Sequence, residues 1–575
     1  MKKLFDWKIA LLAIIILATF LRFYQLGSIP VGLLNDEANK GYDAYSLLLT
    51  GKDQWGVFLP LINLKGFGDY PPPLYQYLSI IPVSIWGLSA FSIRFISVLS
   101  GVFSVAVIFL VGRKLFNVKV GLFSALLLAI LPWAIGLSRV GMESNLAILL
   151  LLLSLFFGIK NADRNSLRNL IIAVFFLAIS LYTYSAYTLL APLIFIVILF
   201  DNFFKKKLNL KIILFPILIF LLMIFPLFIN KGSASVRFSQ VGLTTNINSI
   251  GLLDNLNTQI GQCKNQYAPI FCKIVDNKIV LFSSTFIKNY LSHFSPNLLY
   301  VNGTVTQYSI LPERGLDYIF ASILLILGLY YLVKINNNKK VSFILILLFL
   351  LSPIPDSLTG DGNFSRASAM QPMMVLIEAV GIYYLISIIG LVKNVYTKSL
   401  AFSLIILVVV FSVSSFFITY TTYFKNNYSI FSQYGYKDLM TTVAKEKGNY
   451  DRVYISSHLN DAKQYVYYLF YNRYDPKNYQ TKKEVSYSLA SDGWVSVNKL
   501  ENIYFINSVL PVEQDSSLSS QKVLVISSPK DFPKAIKPIF TVKDKLGNVI
   551  FEAINLSDLI RYNQQHKELI FNENI

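Results

Sequence analysis

The sequence predicts a mainly α polytopic membrane protein with a C-terminal α/β domain outside the bilayer. Three observations predict it. Of the 575 residues, 54% are apolar and only 14% charged, whereas soluble domains carry about a quarter charged residues. Apolar runs of near-bilayer length recur over roughly the first 420 residues. The last 150 or so then alternate strand-like runs with helical patterns. A soluble enzyme, secreted or cytosolic, is excluded.

The formal charge is +19, which in a soluble chain would point to a nucleic-acid partner. Here the Lys and Arg residues cluster between apolar runs, where they set orientation, and no nucleic acid is expected. The chain has two cysteines, three histidines (His293, His458 and His566) and no HExxH pair. That excludes cysteine zinc clusters and iron–sulfur centres, so a metal would need oxygen ligands, which suit Mg²⁺ or Mn²⁺. There is no GxxxxGK[ST] loop and no GxGxxG fingerprint, so no nucleotide cofactor is expected.

Taken in order, MKKLFDWKIALLAIIILATFLRFYQLG has a basic start and an apolar run without a small-residue cleavage site. It reads as an uncleaved signal anchor. Stretches suited to spanning are 7–26, 95–112, 119–137, 144–159, 168–184, 187–201, 211–229, 316–333, 341–357, 370–392 and 399–420. The segment 72–89 could span or lie along the interface. If it is interfacial, the clusters Lys2/Lys3, Arg113/Lys114/Lys119, Lys160/Arg164/Arg168, Lys205/Lys206/Lys207/Lys211, Lys334/Lys339/Lys340 and Lys393/Lys398 all share the side of the N-terminus. The positive-inside rule selects that choice.

About 11 transmembrane helices are therefore expected in a plasma-membrane protein with a cytoplasmic N-terminus. Residues 1–422 form the membrane domain, with outer loops 27–94 and 230–315, and residues 423–575 form a soluble extracytoplasmic domain. In that tail DRVYISS, NIYFINS and KVLVISS read as strands and NDAKQYVYYLFYNRY as a helix. IFTVKDKLGNVIFEAIN reads as a hairpin turning at Leu546-Gly547-Asn548.

The chemistry-bearing groups gather in the outer loops. Adjacent Asp36 and Glu37 could supply a general base or a metal ligand, or Asp36 or Asn35 could cap a short helix running through Ala38 to Leu49. Asp69 and Tyr70 precede Pro71-Pro72-Pro73, which force an extended approach to the following segment. With Tyr42 and His293 they are candidate substrate-binding residues. Glu143 sits four residues after Arg139 in a short outer turn, where an ion pair explains both as well as catalysis does. Arg366, in TGDGNFSRASAMQP, is an outer arginine against the charge bias, suited to binding phosphate at headgroup depth or to pairing with Asp361. Cys263 and Cys272 could close a disulfide or remain thiols. Asn302-Gly303-Thr304 matches a glycosylation acceptor. Glu378 alone breaks the run 370–392, less midplane charge than an ion-coupled transporter usually shows.

The order of these features resembles the GT-C type membrane glycosyltransferases, in the branch of the protein O-mannosyltransferases and aminoarabinose-transferase-like enzymes. Asp36-Glu37 matches the first-loop acidic motif, Pro72-Pro73-Leu74 a Pro-Pro-Leu motif, and Arg139 with Glu143 a second-loop pair. Arg366 before Pro372 resembles a late outer-loop arginine, and the apolar FSIRF stretch also fits. Two departures stand out: Pro71 occupies a position often Lys or His, and Glu143 one commonly Asp. The resemblance implies a polyprenyl-phosphate sugar donor, a lipid, polysaccharide or protein hydroxyl as acceptor, and inversion at the anomeric carbon. It makes Asp36 and Glu37 catalytic, Arg366 and Arg139 binders of the donor phosphate, and Glu143 a metal ligand. The alternative is a lipid-linked-glycan flippase or other transporter without transferase chemistry.

Overall fold

The computed structural model describes residues 6–164, 166–203, 210–229, 240–244, 247–303, 314–359, 364–429, 431–456, 463–490 and 493–566. Asp361 and Thr304, each invoked above, lie outside them. The chain divides into two compact units, one of residues 1–24, 70–75 and 96–418, the other of residues 25–69, 76–95 and 419–575.

The first unit is a helical bundle. Every stretch expected to span is helical, from Trp7–Phe23 to Val395–Thr419. Among the described residues, however, only five helices are long and apolar enough to cross a bilayer, or six if the bent pair Val118–Ile130 and Pro132–Ser138 is one span. That is fewer than the eleven expected, and the reason is length. Leu167–Leu181 has 15 residues, about 22 Å at 1.5 Å per residue, against a hydrocarbon core of about 30 Å. Leu74–Trp86, the segment that could have spanned, has 13 residues with Pro82 inside and is shorter still.

The bundle core is aliphatic and aromatic, with Leu128, Trp133, Leu151, Leu177 and Met374 fully enclosed. Ile319–Tyr330 and Met370–Gly390 approach so closely that a Cβ on Gly328 would lie 2.0 Å from the Ile377 carbonyl oxygen, and one on Gly381 2.0 Å from that of Leu324. Small residues permit such contact where no water drives helices together. By contrast Val395–Thr419 exposes Leu400, Leu404, Leu407 and Phe411, and an apolar helix so uncovered within its unit suits contact with lipid.

The second unit carries a seven-stranded mixed sheet. Its strands are β1 (Arg452–Ser456), β2 (Val485–Leu489), β3 (Val495–Leu500), β4 (Ile503–Ile506), β5 (Val523–Ser527), β6 (Phe540–Lys543) and β7 (Val549–Asn555), in the order β2-β3-β4-β1-β5-β7-β6. β1 pairs in parallel with β4 and β5; the other pairings are antiparallel. Parallel strands covered on both faces read as continuous apolar runs, as Val523–Ile526 does. The expected hairpin is β6–β7, with Gly547 at φ +91°.

Helix Asn35–Thr50, from the first outer loop, packs into this unit rather than standing alone. Leu33, Ala38 and Tyr42 share its core with Tyr465 and Phe470, and a Cβ on Gly41 would meet the Phe470 ring at 2.5 Å. On the same helix Asp43 is fully buried. Its Oδ1 accepts the Gln54 N–H at 3.1 Å, while its Oδ2 has no hydrogen-bond partner among the described residues. Burial, then the charge of Asp53, holds the Asp43 carboxyl well above the usual carboxylate range.

The folded unit therefore keeps a proton that the unfolded chain releases near pH 3.9. The stability linked to Asp43 is present below that pH and lost as pH rises toward the raised folded value. Asp43→Asn should flatten that decline. Melting of the full chain at pH 4 and pH 8 tests it, and an unchanged pH slope would refute the assignment.

Candidate active site

Asp36 lies in the first turn of Asn35–Thr50 and is half-buried. The backbone holds this turn from several sides: Asn35 N–H donates to Gln433 Oε1 at 2.8 Å, and Asp36 N–H to Asn35 Oδ1 at 2.9 Å. The helix does begin here, but the side chain that supports its start is that of Glu37, whose Oε2 accepts the Leu34 N–H at 3.0 Å.

Glu37 and its neighbour therefore differ in kind. Glu37 is sealed from solvent in an ion pair with Arg94, Nε to Oε1 at 2.8 Å and a second guanidinium nitrogen to Oε2 at 3.1 Å. Arg94 also donates to the carbonyl oxygens of Leu26, Pro30 and Gly32. The pair ties the start of the helix to the preceding loop. Removing one partner of a buried pair leaves an uncompensated charge and costs about 3–5 kcal/mol. Arg94→Ala and Glu37→Ala should each destabilise the unit by that order, and the double variant by less than their sum. Simple additivity in chemical or thermal unfolding would contradict the pairing.

Tyr42 is fully buried and its hydroxyl donates to the Tyr474 carbonyl oxygen at 3.1 Å. Its ring packs in the core of the sheet unit. Asp69 is half-buried, its Oδ1 accepting the Phe67 N–H at 3.2 Å. Tyr70 is half-buried with φ +48°, a left-handed conformation costly for a bulky residue and met most often at ligand sites.

In the bundle unit Arg139 is buried and its guanidinium turns onto the end of the first helix. It donates to the carbonyl oxygens of Leu21 and Arg22 at 3.0 Å and of Tyr24 at 2.7 Å. Those are terminal carbonyls a helix cannot satisfy itself, so Arg139 caps that helix end. Glu143 begins Glu143–Arg164, where a carboxylate is favoured by the helix dipole.

Arg366 and His293 are brought together by a residue the sequence reading missed. Asp356 is 1% exposed. Its Oδ2 lies 2.8 Å from His293 Nε2, and its Oδ1 lies 3.7 Å from an Arg366 guanidinium nitrogen and accepts from Thr359 Oγ1 at 3.2 Å. Arg366 also donates to Thr359 Oγ1 at 2.9 Å. His293 Nδ1 sits 2.7 Å from the Asn289 carbonyl oxygen, so both ring nitrogens are engaged. The ring packs by Phe364, which in turn meets Trp133 edge-on. The Arg366 side chain remains one-tenth exposed. The result is a guanidinium held by the Thr359 hydroxyl and set beside a buried carboxylate that His293 fixes in turn. Cys263 and Cys272 are joined as a disulfide.

Residues 70–229 match the family of dolichyl-phosphate-mannose-protein mannosyltransferases. The match includes Pro72-Pro73-Leu74, Arg139 and Glu143 but neither Asp36 nor Arg366. Among solved structures the chain is similar to ArnT from Cupriavidus metallidurans bound to undecaprenyl phosphate, with 12% identity, a TM-score of 0.51, and 95% of this chain and 98% of that one covered. It is also similar to the oligosaccharyltransferase AglB from Archaeoglobus fulgidus in complex with an inhibitory peptide and a dolichol-phosphate. There the identity is 14% and the TM-score 0.51, over 81% of this chain and 64% of that one. The chain has the fold of the GT-C membrane glycosyltransferases. No curated protein sequence matches it significantly.

Among the described residues of this GT-C chain, no three His, Cys, Asp or Glu side chains are grouped so as to hold a metal ion. Glu37, one of the expected donors, has both oxygens engaged by Arg94 and the Leu34 amide. The Glu37 carboxylate is thus committed to protein donors and is not available to the expected Mg²⁺ or Mn²⁺.

Proposed function

We propose that the chain is an integral-membrane glycosyltransferase that moves a sugar from a polyprenyl-phosphate donor to an acceptor hydroxyl, with inversion. The observation that carries the reading is the Arg366–Asp356–His293 cluster, a cation beside a buried carboxylate that a histidine fixes in turn. The acceptor oxygen attacks the anomeric carbon, and the bond from that carbon to the phosphate oxygen breaks. The bonding pair leaves with the polyprenyl phosphate, and the hydroxyl proton passes to the Asp36 carboxylate. Arg366 meets the charge growing on the phosphate, and Asp356 keeps its guanidinium from swinging away. Asp69 and Tyr70 bind substrate in this account.

The basic clusters support a cytoplasmic N-terminus and an extracytoplasmic sheet unit. The Cys263–Cys272 disulfide supports an oxidising compartment for its loop.

The test is release of polyprenyl phosphate by the purified full chain from a panel of polyprenyl-phosphate sugars. Each donor is offered with hydroxyl-bearing lipid, glycan and peptide acceptors. Acceptor-dependent release of lipid phosphate with a new glycosidic product is expected. Movement of intact donor across vesicle bilayers without cleavage would favour the transporter instead.

A further inference from the structure

The bundle unit contains a cavity that belongs to none of the groups above. It has a volume of about 270 Å³ and is walled by five helices: Ala90–Leu115, Glu143–Arg164, Tyr187–Phe203, Lys339–Leu351 and Met370–Gly390. Its character changes with depth. Leu345, Leu348, Met373 and Leu376 line it and are at most 5% exposed. Lys114 and Lys340, also in its wall, are exposed. No acidic residue lines it. The space is slightly below the range of about 300–1,000 Å³ typical of small-molecule pockets, which suits part of an acyl chain better than a whole compact ligand.

The two lysines come from opposite directions of the chain. Lys114 ends one helix and Lys340 begins another, so both belong to the basic clusters that mark the N-terminal side of the membrane. Lysines immediately flanking apolar helices on that side meet and attract anionic headgroups. The wall also has a gap. A Cβ added at Gly158 would find only Ile198 Cγ1, at 4.0 Å, so the glycine leaves space beside the cavity that no neighbouring side chain fills.

We propose that this cavity binds an anionic phospholipid of the leaflet facing the basic clusters. Lys114 and Lys340 take the phosphate, and the apolar interior takes the upper part of one acyl chain. A free phosphate would gain the lysines but nothing from the apolar floor, and a zwitterionic lipid would gain the floor with less from the lysines. The lipid is a bound component of the bundle, separate from any donor held at Arg366.

Native mass spectrometry of the full chain in detergent tests this with phosphatidylglycerol, phosphatidylcholine, inorganic phosphate and polyprenyl phosphate. One equivalent of phosphatidylglycerol should be retained about tenfold or more in preference to phosphatidylcholine. The double variant Lys114→Ala/Lys340→Ala should lose the preference. Gly158→Phe, which fills the space from another helix, should lose both lipids. The lysines are exposed, so at least the first variant tests binding without disturbing the core. Equal retention of the two phospholipids, or lysine variants that bind as wild type does, would overturn the proposal. So would displacement of the lipid by inorganic phosphate, which would make the site one for free anions. Displacement by polyprenyl phosphate would assign the cavity to the donor's tail and also overturn it, while leaving the transferase reading intact.

Discussion

Asp36→Asn is expected to lower sugar transfer by about 10²–10⁴-fold, the usual contribution of a positioned general base. The substitution keeps the size of the side chain and its capacity to accept a hydrogen bond, and removes only the ability to take the acceptor's proton. Asp36 is half-buried at the start of Asn35–Thr50, where a carboxylate gains about 0.3–1 kcal/mol from the helix N-terminus that Asn gives up. Stability and turnover should therefore separate: a melting temperature near that of wild type, with kcat collapsed and donor binding kept. The neighbouring carboxylate behaves in the opposite way. Loss of Glu37 strikes stability first, because its partner Arg94 is buried with it. If Asp36→Asn turns over normally, the base is another group and Asp69 is the next to test.

Arg366→Ala is expected to cost about 10²–10³-fold in kcat/KM, the loss seen when a preorganised donor to a developing oxyanion is removed. Arg366→Lys should recover little. The ammonium is a point charge on a flexible stem and cannot reproduce a planar fork that reaches Thr359 Oγ1 while lying against Asp356. Asp356→Asn probes the support and not the contact. The carboxamide can still accept from Thr359, but the charge that balances Arg366 is gone, so an intermediate loss concentrated in KM is expected. Steady-state kinetics on the three variants order the roles. Equal activity in Arg366→Ala and wild type would remove the arginine from the reaction.

Much of the architecture was legible because local composition carries it. Apolar runs mark helices wherever they occur, and the tail's strands and the turn at Gly547 follow from β-rich runs and a glycine in the left-handed region. The number of crossings was less legible, since whether a 15-residue helix spans depends on the thickness of the surrounding bilayer and on tilt. The strands β2 and β3 were missed although VSYSL alternates; an edge strand with most of its residues exposed lacks the apolar run that identified β1, β4 and β5.

The site was read less well, for a physical reason. Side-chain partners far apart in sequence leave no local signal. Glu37 finds Arg94 57 residues away, His293 finds Asp356 63 residues away, and Arg139 reaches back to carbonyls more than 110 residues earlier. One clue was available: a lone arginine in the apolar stretch FSIRF needs a partner if it is enclosed, and Asp36-Glu37 offered the nearby carboxylates. For Asp356, set between Pro355 and Ser357, no comparable cue exists.

Arg366, held by Asp356 and Thr359, is proposed to receive the phosphate of a lipid donor. Equilibrium binding of polyprenyl phosphate to the full chain in lipid nanodiscs, compared among wild type, Arg366→Ala and Asp36→Asn, tests it most directly. The account predicts binding by wild type and Asp36→Asn alike, with a loss of about tenfold or more in Arg366→Ala. Undiminished binding by Arg366→Ala would contradict it.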